Sequence, residues 1–251
     1  MSAPTARPSA FAKRAGDAVC RASAFLTRLR RARLFHPAGR SFAGEVTIWG
    51  TSGPPTGVTF LDEPGRYPAT IRLSKGTSTP GSWPDVLGLA VRVHTDGPRP
   101  VDLLVSSSGA RPVLRAVALP RRRFAGTYST IVPLRAEGGR RLWLAALADP
   151  DSIDLGRSLA EVAAATRTEE PRLVLATASA VGPWRPFGQV SIGTQLSARQ
   201  DAALAFDPIG NLPAGLRAVG AMAWLRGQSY RGSRRARGVE AQSGGSIGVT
   251  V

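Results

Sequence analysis

"ATIRLSKGTSTPGSWPDVLGLAVRVHTDGPRPVDLLVSS", residues 69–107, holds three apolar, β-branched runs separated by Gly- and Pro-rich breaks. Each run alternates apolar and polar residues or is apolar throughout, which is the pattern of a strand rather than of a helix. The same pattern extends outward from this stretch. "GEVTIWG" (44–50) lies before it; "TYSTIVPLRA" (127–136), "RRLWLAAL" (140–147), "PRLVLATASA" (171–180) and "FGQVSIGTQL" (187–196) follow. The runs 127–136 and 140–147 are joined by Gly138-Gly139, which predicts a hairpin. The total is about eight strands, enough to close a barrel.

Helical spacing is confined to the flanks and to short inserts. Residues 9–33 place Phe11, Val19, Phe25, Leu26 and Leu29 on one face and Lys and Arg on the other, predicting an amphipathic helix. Residues 111–121 read as a short helix, 151–167 as a longer one opened by a serine or aspartate, and 214–238 as helix-like and basic. No internal repeat and no long linker appears. The expected organisation is a basic N-terminal arm (1–29), one domain (30–240) and a Gly-rich tail (241–251).

Composition narrows the chemistry. The chain has 251 residues, 43% of them hydrophobic and 20% charged, which suits a cored domain and excludes a disordered polyelectrolyte. A formal charge of +16, carried almost wholly by arginine, favours nucleic acid, an anionic membrane surface, or a ligand's carboxylates or phosphates. Cys20 is the single cysteine, so intrachain disulfides and cysteine zinc sites are excluded. His36 and His94 are the two histidines, too few for a histidine cluster. A metal centre would have to arrive already chelated or use oxygen ligands. No apolar run reaches membrane-spanning length, and the first residues lack the apolar core of a secretory signal, so a cytoplasmic protein is the default expectation.

"RGQSYRGSRRARG" (226–238) sets Tyr230 among arginines. Arg226 and Tyr230 are four residues apart, on one face of a helix. A guanidinium beside a phenol favours the phenolate, as does ferric iron bonded to its oxygen. With arginine this abundant, the spacing alone also fits a solvated basic face, the reading kept for Arg231, Arg234 and Arg235. Arg72 lies mid-strand among apolar residues, where an unpaired charge is costly, so an anionic partner is expected for it. His94 precedes Thr95-Asp96-Gly97 and is expected to be exposed. The five tryptophans read as core or loop anchors rather than as a base-stacking platform.

The order of segments resembles that of heme catalases. "FDPIGNLPAGLRAVGAMAWLRGQSY" (206–230) is similar to the catalase segment leading to the axial tyrosine, matching Phe206-Asp207-Pro208, Asn211, Pro213, Gly215, Met222, Arg226 and Tyr230. Arg237-Gly238 matches the arginine and glycine that follow. "RLFHPAGRSFAG" (33–44) resembles the segment bearing the distal histidine and maps Arg33, His36 and Gly39. "IRLSKGTSTPGSWPDVLGLAVRV" (71–93) resembles two consecutive catalase strands and supplies Arg72, Ser74 and Gly88. The likeness runs from residue 30 to residue 238.

The resemblance implies an α+β, catalase-like fold: an eight-stranded antiparallel β-barrel with surrounding helices. It implies heme b, with Tyr230 as the iron's axial ligand and Arg226 keeping it ionised. Arg33, Arg72 and Arg237 would neutralise the propionates. Phe35, Phe206 and Met222 would line the cofactor. His36 would move a proton between peroxide oxygens, and Ser74 would fix its tautomer. The substrate would be hydrogen peroxide or an organic hydroperoxide, with the electron donor unspecified and a homo-oligomer implied by analogy. Three departures stand out. Ser106 occupies the position of the asparagine that catalases place over the heme, Phe35 precedes the histidine where a smaller residue is usual, and "GARPVLRAVALP" (109–120) replaces an aromatic run. Two alternatives stay open: a relative that keeps the barrel without heme, and a non-enzymatic basic binder of nucleic acid or anionic membrane. Against the second, the arginines are not interleaved with aromatics as in a nucleic-acid-binding fold.

Overall fold

Most strands pair with a sequence neighbour from residue 38 onward, and the chain of pairings returns on itself. The computed structural model describes residues 38–219. It contains β1 (Ala38–Ile48), β2 (Gly65–Lys75), β3 (Leu87–Val93), β4 (Val101–Ser107), β5 (Tyr128–Ser129), β6 (Leu134–Ala136), β7 (Arg141–Ala148), β8 (Arg172–Ala178), β9 (Arg185–Gln195) and β10 (Leu216–Ala218). The order β7-β5-β4-β3-β2-β1-β9-β8 closes because β8 also pairs with β7, giving an eight-stranded antiparallel barrel. β6 and β10 extend from β7 as a small side sheet. Three short helices accompany these strands: α1 (Thr59–Asp62), α2 (Leu159–Ala165) and α3 (Ala198–Ala203).

Alternation along each strand separates the two faces of the barrel. Phe42, Val46 and Ile48 of β1, Ile71 and Leu73 of β2, Leu89, Val91 and Val93 of β3, and Val190 and Ile192 of β9 all lie in one buried cluster. Burying each such side chain fully is worth about 1.5–3 kcal/mol. At the β1–β9 seam the sheet bends, with a register shift between Phe42 and Gly44. A Cβ on Gly44 would overlap the Ser191 carbonyl, so only glycine permits this approach.

Several predicted elements change shape. The run 127–136 breaks into β5 and β6 because Ile131 adopts φ 60° and Pro133 has no N–H for the ladder. The helix expected over 151–167 shrinks to Leu159–Ala165. Gly156 sits at φ 76°, and the Ser158 hydroxyl caps the Glu161 N–H at 3.2 Å, fixing the start there. Residues 111–121 hold one 3₁₀ turn, Leu114–Ala116, not an α-helix. Arg115 in that turn is buried; its Nη1 donates to Ser179 O at 2.7 Å and Nη2 to Gly182 O at 2.8 Å, with its plane over Trp184. The start of the helix-like stretch 214–238 is strand β10. The expected helix 9–33, the arm and the tail lie outside the described residues. Trp49 and Trp83 are exposed, not core. Among the described residues no helix is long and apolar enough to cross a membrane.

The loop 76–86 between β2 and β3 is folded around two buried charges. Lys75 Nζ donates to the carbonyls of Thr79 (2.9 Å), Gly81 (2.6 Å) and Trp83 (3.1 Å). The Asp85 carboxylate accepts from the N–H and hydroxyl groups of both Thr77 and Thr79. Burial pushes the Asp85 pKa up, but the Thr79 and Thr77 donors outweigh it and the net shift is downward from 3.8. Asp62, bonded by Thr51, Thr56 and Gly57, is shifted the same way for the same reasons. A carboxyl whose folded pKa is depressed stabilises the fold fully above its unfolded pKa and loses that contribution as pH falls through the folded value. The melting temperature is therefore expected to hold from neutral pH down to about pH 4 and then drop steeply. Asp85→Asn should lower it at neutral pH and flatten the acid limb; thermal melts between pH 7 and pH 2.5 measure both effects.

Candidate functional site

Register places the described candidate residues on the outer face of the barrel. Gly39, Ser74, Gly88, Ser106 and Ser129 are directly opposite one another across β1, β2, β3, β4 and β5. Directly paired residues share a face, so this is a row of hydroxyls and bare backbone. Ser74 and Ser106 are both 5% exposed. Ser74 Oγ donates to Gly88 O at 3.4 Å. Ser106 stands opposite Gly88 on one side and Ser129 on the other. The structure thus brings Ser74 and Ser106 together on either side of a glycine.

Arg72 lies on the same face, two residues along β2 from Ser74. It has the anionic partner that its mid-strand position required, and that partner is the protein's own Asp201. Arg72 Nε donates to Asp201 Oδ1 at 3.2 Å, and the Ser41 hydroxyl donates to the same oxygen. Ser41 stands opposite Arg72 in the β1–β2 register. The guanidinium lies against Gly39, where a Cβ would overlap it. Its ion pair is partly buried, the side chains being 19% and 25% exposed.

A second cluster occupies the far part of this face. Asp102, whose side chain is 0% exposed, accepts from Arg92 Nε at 2.8 Å and Nη2 at 2.7 Å, from Asp207 N at 2.7 Å and from Asn211 Nδ2 at 2.9 Å. Arg92 also donates to Ala205 O at 2.6 Å, and its guanidinium lies 5.1 Å from the Phe206 ring centroid. The hydrogen bond to Asp102 holds the Arg92 pKa above its ordinary value despite burial. Phe206 is therefore stacked on Arg92 near the Thr70–Arg92–Asp102 row and is not brought beside Ser74 and Ser106. Sequence reasoning missed Asp102, Arg92 and Asp201. The signal for the first two was available: a charge inside a buried strand needs a partner.

The remaining described tyrosines and histidine are already engaged. Tyr128 is buried and donates its hydroxyl to Phe124 O at 2.8 Å; burial pushes its phenol pKa up, so it stays protonated. Tyr67 packs on Phe60. His94 is exposed and its Nε2 lies 3.0 Å from Thr70 Oγ1. Among the described residues no group of three or more His, Cys, Asp or Glu could hold a metal ion. Arg33, Phe35, His36, Met222, Arg226, Tyr230 and Arg237 lie outside the described residues.

Comparison with solved structures fits this barrel. A bacterial catalase superposes with a TM-score of 0.56 at 13% identity, covering 84% of this chain and 59% of the catalase chain. A fungal catalase gives 0.55 at 11%, covering 79% and 58%. The chain has the fold of the catalase barrel core. It spans about three-fifths of the length of those two catalases. No family model matches the sequence, and no curated protein matches it.

Proposed function

We propose that the protein is a small heme-binding relative of catalases that acts on hydrogen peroxide or an organic hydroperoxide. The observation that carries this reading is a register. Gly39, the last matched residue of the distal-histidine motif, pairs with Ser74, so the described end of that motif begins beside the Ser74–Ser106 row. The engaged side chains add support: of three tyrosines and two histidines, Tyr67, Tyr128 and His94 already have partners in the barrel. Tyr230 and His36, the pair the catalase resemblance names, lie outside the described residues.

The described donors suit a flat, acidic guest: a guanidinium, two buried hydroxyls and glycine gaps on one face. Arg72, with Arg33 and Arg237, would neutralise the propionates of heme b. Phe35, Phe206 and Met222 would supply apolar lining. Tyr230 would be the oxygen ligand, held as phenolate by Arg226. When bound, the heme supplies a ferric centre at which a peroxide can be cleaved. His36 would take a proton from one peroxide oxygen and return it to the other. Ser74 would accept or donate at the second ring nitrogen and fix the tautomer. Ser106, in the place of asparagine, would offer its hydroxyl to the peroxide from a shorter arm.

Titration of the purified protein with heme, followed by absorption spectroscopy and peroxide-consumption assays, tests this. A saturable Soret band with one heme per chain and His36-dependent peroxide turnover are expected. No spectral change on adding heme would end the proposal and favour the second reading, a barrel that has lost the cofactor. The specific observation on that side is Asp201 seated on Arg72.

A further inference from the structure

We propose that Asp201 is a built-in counter-ion that holds the Arg72 seat and weakens the protein's grip on any guest carboxylate there; this deepens the heme reading and rests on it. Asp201 belongs to α3, whose start is fixed by a capping box: Gln200 N donates to Ser197 Oγ and Ser197 N to Gln200 Oε1. The helix therefore presents the carboxylate from a defined turn. Ser41 then pins it by donating to the oxygen that also meets Arg72 Nε. Ser41 and Arg72 are opposite each other on adjacent strands, and Gly39 gives the guanidinium a flat place to lie. The contacts converge on one Arg–Asp pair, and part of each side chain stays solvent-accessible.

An acidic group arriving at this face meets a cation whose charge is already offset. Asp201 lies 129 positions from Arg72, in the connection between β9 and β10 rather than in the strand motif that resembles catalases. It sets specificity by charge: a guest must supply enough attraction elsewhere to share Arg72 with it. Asp201→Asn keeps the shape and the acceptor for Arg72 and Ser41 while removing the competing charge.

Equilibrium titration of wild type and Asp201→Asn with heme, and with heme whose two propionates are methyl esters, tests this. Heme is expected to bind Asp201→Asn with a Kd about fivefold lower, the scale of one exposed-to-partly-buried ion pair. The ester should bind both proteins equally. Asp201→Ser, which removes the charge with a different shape, should shift heme in the same direction. Equal or weaker heme binding by both variants overturns the inference while leaving the cofactor reading intact, as does an equal shift for heme and ester. No binding of either porphyrin by any of the proteins overturns the cofactor reading and this inference together.

Discussion

Tyr230→Phe is expected to yield folded protein whose heme affinity is on the order of a hundredfold weaker or worse, with no stable Soret band after desalting. Outer partners of a metal ligand cost 10–100-fold when removed, and the ligand itself costs at least the upper end of that range. Phenylalanine keeps the ring and deletes only the oxygen, so a packing role predicts near-normal loading and an iron-ligand role predicts loss. The other tyrosines are the controls. Tyr128→Phe removes one buried hydrogen bond, to Phe124 O, and should cost about 1 kcal/mol of stability while leaving heme loading intact. Tyr67→Phe should change neither. Arg226→Leu should retain heme with a shifted spectrum and a raised phenol pKa, because the guanidinium no longer favours the phenolate. Normal loading in Tyr230→Phe would remove Tyr230 as the proposed ligand.

Asp102→Ala is expected to destabilise the fold by roughly 3–5 kcal/mol, because it leaves the buried Arg92 guanidinium without its carboxylate. Domains of this kind have only about 5–15 kcal/mol in total, so the variant should sit near the edge of folding. The alanine also strips partners from the Asp207 N–H and the Asn211 amide. Those two bonds, with Arg92 to Ala205 O, hold segment 205–211 against β3 and β4. Asp102→Asn keeps one acceptor and should cost less. The double variant Arg92→Met, Asp102→Leu should recover part of the loss, since an apolar pair of similar volume needs no desolvation. Urea denaturation of the four proteins measures this. A single-variant cost under about 1 kcal/mol would mean that water replaces the lost contacts.

The barrel was legible where strands alternate. β2, β3, β4, β8 and β9 fall within a few residues of the runs that predict them, because their apolar sides all face one interior. β1 is longer than its predicted run, starting at Ala38 instead of 44. Its first residues, "AGRSFA", carry no alternation; pairing with the whole of β2 makes them a strand. β10 looked helical because Leu216 and its neighbours have helical propensity, and tertiary pairing with β6 overrides that. Within the candidate site, the Ser74–Ser106 neighbourhood was legible from segment order. The Arg72–Asp201 and Asp102–Asn211 contacts were not: each joins residues more than a hundred positions apart, and periodicity carries no information at that range.

The loop after β2 has a consequence for which part of the barrel can move. Its ammonium and carboxylate are solvated almost entirely by the loop's own amides, carbonyls and threonine hydroxyls, so unwrapping it strands two charges at once. A hinge is the last thing such a knot can become. The wall next to Ser74 is thus a fixed post of the barrel.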